Sequence, residues 1–278
     1  MNNILILTDF SDNSWNSIKY ALALFQNKSC NFYLLNALNL HKERLEDKGD
    51  EKPNLEKKKN AINPKIEFEK LINKINSSAL KGNHIFIPII GEKDIIEEAR
   101  LQIIEKKINL IVIGTNGMSS NGRKNNISPT SEEIITKLKC SILVVPNEAS
   151  FSSLKEVAFP TDYTYFNEAV LLQNMMNLLN SHKSSTRFVF MAKKNEELNK
   201  EQRWNMETLQ DYFVNQSHSF HTEINNNLEL SIENFIKKNH IDLIVMAAKN
   251  LNLFEQILFR PKIKNIRYYF ITPFLILH

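Results

Sequence analysis

The chain is poor in cysteine, glycine and proline, with 2, 6 and 8 of them among 278 residues. Two cysteines, Cys30 and Cys140, are too few for a disulfide framework. Each lies beside an apolar run, where a thiol serves as a small buried hydrophobe. So little glycine and proline excludes collagen-like and low-complexity chains. Long apolar runs are also missing. None approaches the roughly 18 residues of a membrane span, and Met1-Asn2-Asn3 before a four-residue apolar run is no signal peptide. A cytoplasmic location and no membrane partner are therefore expected. Charge of one sign is absent too. Residues 1–150 carry 21 Lys/Arg against 18 Asp/Glu, and residues 151–278 carry 14 against 13. Neither half has the basic stripe of a nucleic-acid binder.

Chemistry-bearing motifs are scarce. His218 and His221 stand three apart, so on a strand they face opposite sides and cannot chelate together. The other histidines are scattered, and no metal site is expected. Neither a Gly-x-Ser-x-Gly elbow nor a Gly-x4-Gly-Lys-Ser/Thr loop occurs.

What the chain does have is 42% hydrophobic residues, enough to fill cores, and an internal repeat. Ile4–Phe10 aligns with Val157–Tyr163 at an offset of 153, Ile108–Gly114 with Ile241–Ala247 at 133, and Cys140–Pro146 with Thr272–His278 at 132. The order is the same in both halves. The shortfall of the second half falls in a charged stretch from about Leu40 to Pro64, read as a surface excursion. Short apolar strand-like runs alternate with segments of helical spacing in each half. Examples are Ile4–Leu7, then Ile18, Ala21, Leu22 and Phe25. Uniformly apolar strands alternating with helices mark a parallel sheet covered on both faces. The fold class expected is α/β, with two tandem doubly wound five-stranded parallel sheets packed as an intramolecular pseudo-dimer. The expected domains are 1–147 and 154–278, joined through the polar stretch Asn147–Ser153. A short helix near Ile263 and an apolar packing run at Tyr268–Phe270 complete the expectations for the second half.

Ligands of doubly wound sheets bind outside the carboxyl ends of the strands. In the first half, one strand ends at Thr8-Asp9. Another ends at Ile113-Gly114, followed by Thr115-Asn116-Gly117 and a polar loop to Thr130. Two glycines three apart let backbone approach a ligand, and the helix after the loop offers N–H groups to an anion. The plain alternative for Asp9 and Asp162 is a helix N-cap or a turn; for the glycine pair it is an ordinary turn.

These residues resemble the universal stress protein family, in two tandem copies over nearly the whole chain. The carriers are Leu7-Thr-Asp-Phe-Ser11, Leu34-Leu-Asn-Ala37, Ile111-Val-Ile-Gly-Thr-Asn-Gly117 and Cys140-Ser-Ile-Leu-Val-Val-Pro146. The second half adds Phe159-Pro-Thr-Asp-Tyr163 and Ile241-Asp-Leu-Ile-Val-Met246. The resemblance implies a Rossmann-like, non-catalytic stress-response protein whose fifth strands, Ile142–Val145 and Phe274–Leu277, pair with each other. It implies that Thr8, Asp9, Ala37 and Ile113 line the adenosine end of a nucleotide cleft. Gly114 and Gly117, with Ser128, Thr130 and Ser131 at the far end of the loop, would face the phosphates. ATP or AMP is the implied ligand of the first half, with no metal beyond a nucleotide-bound magnesium.

The chain departs from the family's ATP pattern, Gly-x2-Gly-x9-Gly-Ser/Thr. Ile127 stands at the third glycine, followed by Ser128; counting back from Cys140 places Ser128-Pro129 there instead, and Arg260-Pro261 in the second half. Proline suits a first helical turn but removes an N–H that a phosphate would use. Ala247 and Asn250 replace both leading glycines of the second half. The functional expectation is weak adenine-nucleotide binding in the first half, a degenerate second half, and an unidentified protein partner. The alternative is a structural or protein-interaction module that binds no nucleotide. An enzyme hydrolysing ATP would need a base and a metal carboxylate, and nothing beyond Asp9 offers itself.

Overall fold

The computed structural model describes residues 2–37, 63–80, 82–115, 127–164, 169–192, 196–224, 228–249 and 271–278. The central part of the charged excursion, Gly117 with most of its loop, the region near Ile263, Arg260-Pro261 and Tyr268–Phe270 lie outside the described residues.

Ten strands form one sheet. The first half contributes β1 (Asn2–Leu7), β2 (Cys30–Ala37), β3 (His84–Gly91), β4 (Leu110–Gly114) and β5 (Ile142–Val145). The second contributes β6 (Glu156–Thr161), β7 (Ser185–Ala192), β8 (His218–Ile224), β9 (Leu243–Ala247) and β10 (Phe274–Leu277). The strand order is β3-β2-β1-β4-β5-β10-β9-β6-β7-β8. It is the same order read from either end, so the halves are related by a pseudo-two-fold. Every pairing within a half is parallel, and β5–β10 alone is antiparallel. The two five-stranded sheets are thus fused edge to edge. The pseudo-dimer hides two strand edges that would otherwise expose unpaired N–H and C=O groups.

Seven described helices cover the sheet: α1 (Asp12–Leu24), α2 (Pro64–Asn76), α3 (Ile95–Glu105), α4 (Pro129–Lys137), α5 (Ala169–His182), α6 (Lys200–Tyr212) and α7 (Leu228–Asn239). Their starts are chemically marked. Asp94 caps α3 through the Ile96 N–H at 2.9 Å. Asn199 and Gln202 form a reciprocal capping box on α6. Alternation along the strands divides the core into two layers. Ile4 and Ile6 face α1, α2, α5 and α6, while Leu5 and Leu7 face α3, α4 and α7. Cys140 is buried with its thiol pushed up to about 12 by desolvation, the inert hydrophobe expected of it.

The segment between the halves is more than a polar tether. Ala149 and Leu154 are buried, and the Phe151 ring packs edge-on to Tyr20 at 5.5 Å and to His182 at 5.7 Å. Asn16 Nδ2 donates to the carbonyls of Pro146 and Ala149 at 3.0 and 2.9 Å. Composition alone suggested a solvated join; its three apolar side chains decide otherwise.

Candidate functional site

The carboxyl ends of β1, β2 and β4 open into a cleft of about 140 Å³, closed on one side by the start of α4. Thr8, Asp9, Ala37, Ile113, Gly114, Ser128, Thr130 and Ser131 all line it. Of the residues the sequence nominated, only Gly117 falls outside the described part of the chain.

The β1–α1 corner is built by short-range hydrogen bonds. Phe10 turns into the left-handed region at φ 61°, unusual for a bulky residue. Two contacts hold it there. Its N–H donates to Thr8 Oγ1 at 3.0 Å, and its ring meets Phe68 edge-on at 5.0 Å. Asp9 Oδ1 accepts from the Ser11 N–H at 3.1 Å and the Ser11 hydroxyl at 2.5 Å. Ser11 in turn caps α1 through the Ser14 N–H at 3.2 Å. Asp9 is therefore a turn aspartate and the cap is Ser11.

Gly114 is needed for close packing. A Cβ at this position would sit 2.6 Å from Asn13 Nδ2 and 2.8 Å from Asn13 Cγ, both side-chain atoms of a buried residue. The Gly114 carbonyl accepts from the Ser131 hydroxyl at 3.0 Å, pinning the end of β4 to the first turn of α4. That turn spends its donors internally. Ser128 is the N-cap, its oxygen accepting from the Ser131 N–H at 3.1 Å; Pro129 has no N–H; the Glu132 N–H bonds the Ser128 carbonyl at 2.9 Å. Thr130 contributes the donor that this first turn can still offer an anion.

Asn13, Ser14 and Asn36 line the same cleft and were not nominated from the sequence. Asn36 Nδ2 donates to the Thr8 carbonyl at 2.7 Å, tying the tip of β2 to that of β1. Its position beside Ala37 was the available signal. Asn13 lies four residues beyond Asp9, one helical turn into the corner, which was the signal for it. Among the described residues lining the cleft, Asp9 is the one charged side chain, and no lysine or arginine faces it. No group of three or more His, Cys, Asp or Glu suited to a metal ion occurs among the described residues.

The model of the universal stress protein family matches residues 1–146, more than half of the chain. The chain belongs to the universal stress protein family. As a member it is a stress-response protein. Solved structures extend the fold across both halves. A universal stress protein from Archaeoglobus fulgidus superposes with a TM-score of 0.64 at 12% identity, covering 99% of this chain and 98% of that one. A putative universal stress protein from Pseudomonas aeruginosa gives 0.57 at 11%, covering 100% and 93%. At such identities these matches speak for the two-unit fold alone. None of the curated proteins compared with this chain matches it.

The second half repeats the corner but not the cleft's chemistry. Tyr163 is left-handed at φ 57°, its N–H donates to Thr161 Oγ1 at 2.9 Å, and Asp162 Oδ1 accepts from the Thr164 N–H at 3.0 Å. In this half α6 reaches over the corner. Gln202 donates to the Asp162 carbonyl at 2.8 Å and Asn205 to the Tyr163 carbonyl at 2.6 Å. Ala247 stands where β4 has Gly114. No described helix is long and apolar enough to cross a membrane.

Proposed function

We propose that this universal stress protein acts by binding rather than catalysis, and that its first half, residues 1–147, holds adenine nucleotide weakly in the cleft at Gly114. The second half, 154–278, is then a packing partner without a nucleotide of its own, and the working location is the cytoplasm. The observation that carries the reading is the Gly114–Asn13 contact. It keeps backbone bare at the carboxyl end of β4, beside a strand tip bearing a carboxylate, which is where a doubly wound sheet receives a nucleoside. The carboxylate of Asp9 suits a hydroxyl or amine donor of the nucleoside and repels phosphate. With no lysine or arginine on the described cleft wall and one remaining N–H at Thr130, the described wall offers the outer phosphates little to bind.

AMP and ADP should therefore bind at least as well as ATP. A hydrogen bond to a charged acceptor contributes roughly 1.5–3 kcal/mol, and each 1.4 kcal/mol is about ten-fold in affinity. Magnesium would enter only with the nucleotide.

Titration of AMP, ADP and ATP against the full chain and its Gly114→Val variant tests this. Valine should drive Asn13 into the cleft and abolish binding of all three, with a thermal melt checking that the fold survives. ATP binding a hundred-fold tighter than AMP would contradict the assignment of Pro129. Absence of binding up to millimolar nucleotide would leave the interaction-module reading, which the use of the Ser128 hydroxyl as the α4 cap favours.

A further inference from the structure

The pseudo-two-fold creates two sister grooves where the halves meet, and the described residues fill only one. The ends of α1 and α5 are tied by mirrored bonds. Lys28 Nζ donates to the Asn177 carbonyl at 3.1 Å, and His182 Nε2 bonds the Leu24 carbonyl at 2.9 Å. Beside His182 the groove is plugged by the segment joining the halves, with Phe151 against Tyr20 and His182. Beside Lys28 lies a cavity of about 170 Å³ at the start of β1 and β4. Among the described residues one segment crosses between the halves, and it enters the groove beside His182.

The open groove has the walls for a ring. Ile4, Leu110, Leu275 and Leu277 form its floor, with Phe25 and Met175 at the sides. A dry cavity of about 150 Å³ accepts a benzene molecule, and thioether sulfur packs well on aromatic edges.

Its charge differs from that of the filled groove. Strand offsets make Asn109 the counterpart of Asp242. Both backbone N–H groups make the mirrored bond to the neighbouring first strand, Asn109 to the Asn3 carbonyl and Asp242 to the Glu156 carbonyl, each at 2.8 Å. The Asp242 carboxylate also binds the N–H groups of Lys155 and Glu156 at 2.7 and 3.1 Å. In the open groove that carboxylate has become an amide. Among the described residues no Asp or Glu lines the cavity, while Lys28 lies in its wall, half-buried. Partial burial lowers the Lys28 ammonium below its ordinary value, so a nearby anion would favour its charged form.

We propose that the open groove binds a small aromatic carboxylate, its ring seated as Phe151 is seated in the sister groove and its carboxylate on Lys28. The rim amides Asn2 and Asn109 and the Ser141 hydroxyl supply further donors. The site lies at the opposite end of β1 from the Gly114 cleft and is independent of nucleotide.

The test uses the full chain with 3-phenylpropionate and its neutral analogue 3-phenylpropan-1-ol. The carboxylate should bind with a dissociation constant below about 1 mM and shift the methyl resonances of Leu275 and Leu277. Lys28→Met should weaken the carboxylate about five- to ten-fold, the size of one partly buried charge contact, and leave the alcohol unchanged. Ser141→Trp, which fills the groove, should abolish both, while AMP should not compete. Absence of binding at about 10 mM would overturn the site, as would leucine methyls that do not move. A dissociation constant unaffected by Lys28→Met would overturn its preference for an anion.

Discussion

The two halves build the same corner and put it to different use. Thr8-Asp9-Phe10 and Thr161-Asp162-Tyr163 share the left-handed aromatic, the threonine that accepts its N–H and the aspartate that accepts from the next hydroxyl. Because the corner persists where Gly114 has become Ala247, its aspartate serves first as a turn-maker. The feature that separates the halves is bare backbone at the strand end. All six glycines of the chain lie in the first half. Left-handed turns are made by non-glycine residues in both halves, Phe10 and Lys107 in the first and Tyr163, Lys183 and His240 in the second. Both halves accept that strain at corners, where tertiary contacts hold the residue. At the end of β9 the second half has Ala247 and lacks the close approach that only glycine allows.

The largest expected effect asks whether the halves stand or fall together. Phe188 is fully buried in the second half among Phe159, Phe213 and Phe220. Phe188→Ala should cost roughly 3–5 kcal/mol. Since β5 and β10 join one continuous sheet, urea unfolding followed by Trp15 in the first half and by Trp204 in the second should shift together. Two separated transitions would show that the halves are independent, despite their shared sheet.

A smaller effect concerns acid. Burial holds His84 in the first half and His182, His221 and His278 in the second below the ordinary value of 6.5. On acidification the unfolded chain protonates first. The stability present above pH 6.5 is therefore lost as pH falls below it. Three of these four histidines belong to the second half, so local opening there, read from amide exchange relative to its intrinsic rate at pH 5, should increase more than in the first. His182→Gln should flatten the fall in stability, and an unchanged slope would remove that residue from the account.

The smallest effect tests the cleft's own economy. Ser128→Ala removes the α4 cap and should cost about 1 kcal/mol, read from the thermal midpoint. With the hydroxyl serving the helix, AMP affinity should change less than two-fold. A ten-fold loss, about 1.4 kcal/mol, would make Ser128 a ligand contact.

The strands were legible because each is a short, uniformly apolar run between polar breaks, as at Ile142–Val145 and Phe274–Leu277, whose observed limits coincide with the reading. Helix ends were less so. The spacing of Phe68, Leu71, Ile72 and Ile75 marks a helical face but neither of its ends: Asn63 caps α2, Pro64 opens it, and it stops at Asn76. The cleft residues could be named because topology fixes which strand ends meet. Asn13 escaped because a polar residue in a first helical turn looks solvated until the bare β4 end is seen against it. Phe151 escaped for a related reason, since one aromatic in a polar stretch carries no periodicity.

The single crossing of the chain between its halves has a genetic consequence. In a homodimer of separate copies, one altered codon changes both faces of the isologous interface at once, so neither site can drift alone. Here each half has its own codons. One half carries Gly114 and Gly117 where the other has Ala247 and Asn250, and one groove carries Asn109 where its sister carries Asp242. Fusion turns a pair of obligatory twins into two positions that selection can visit separately.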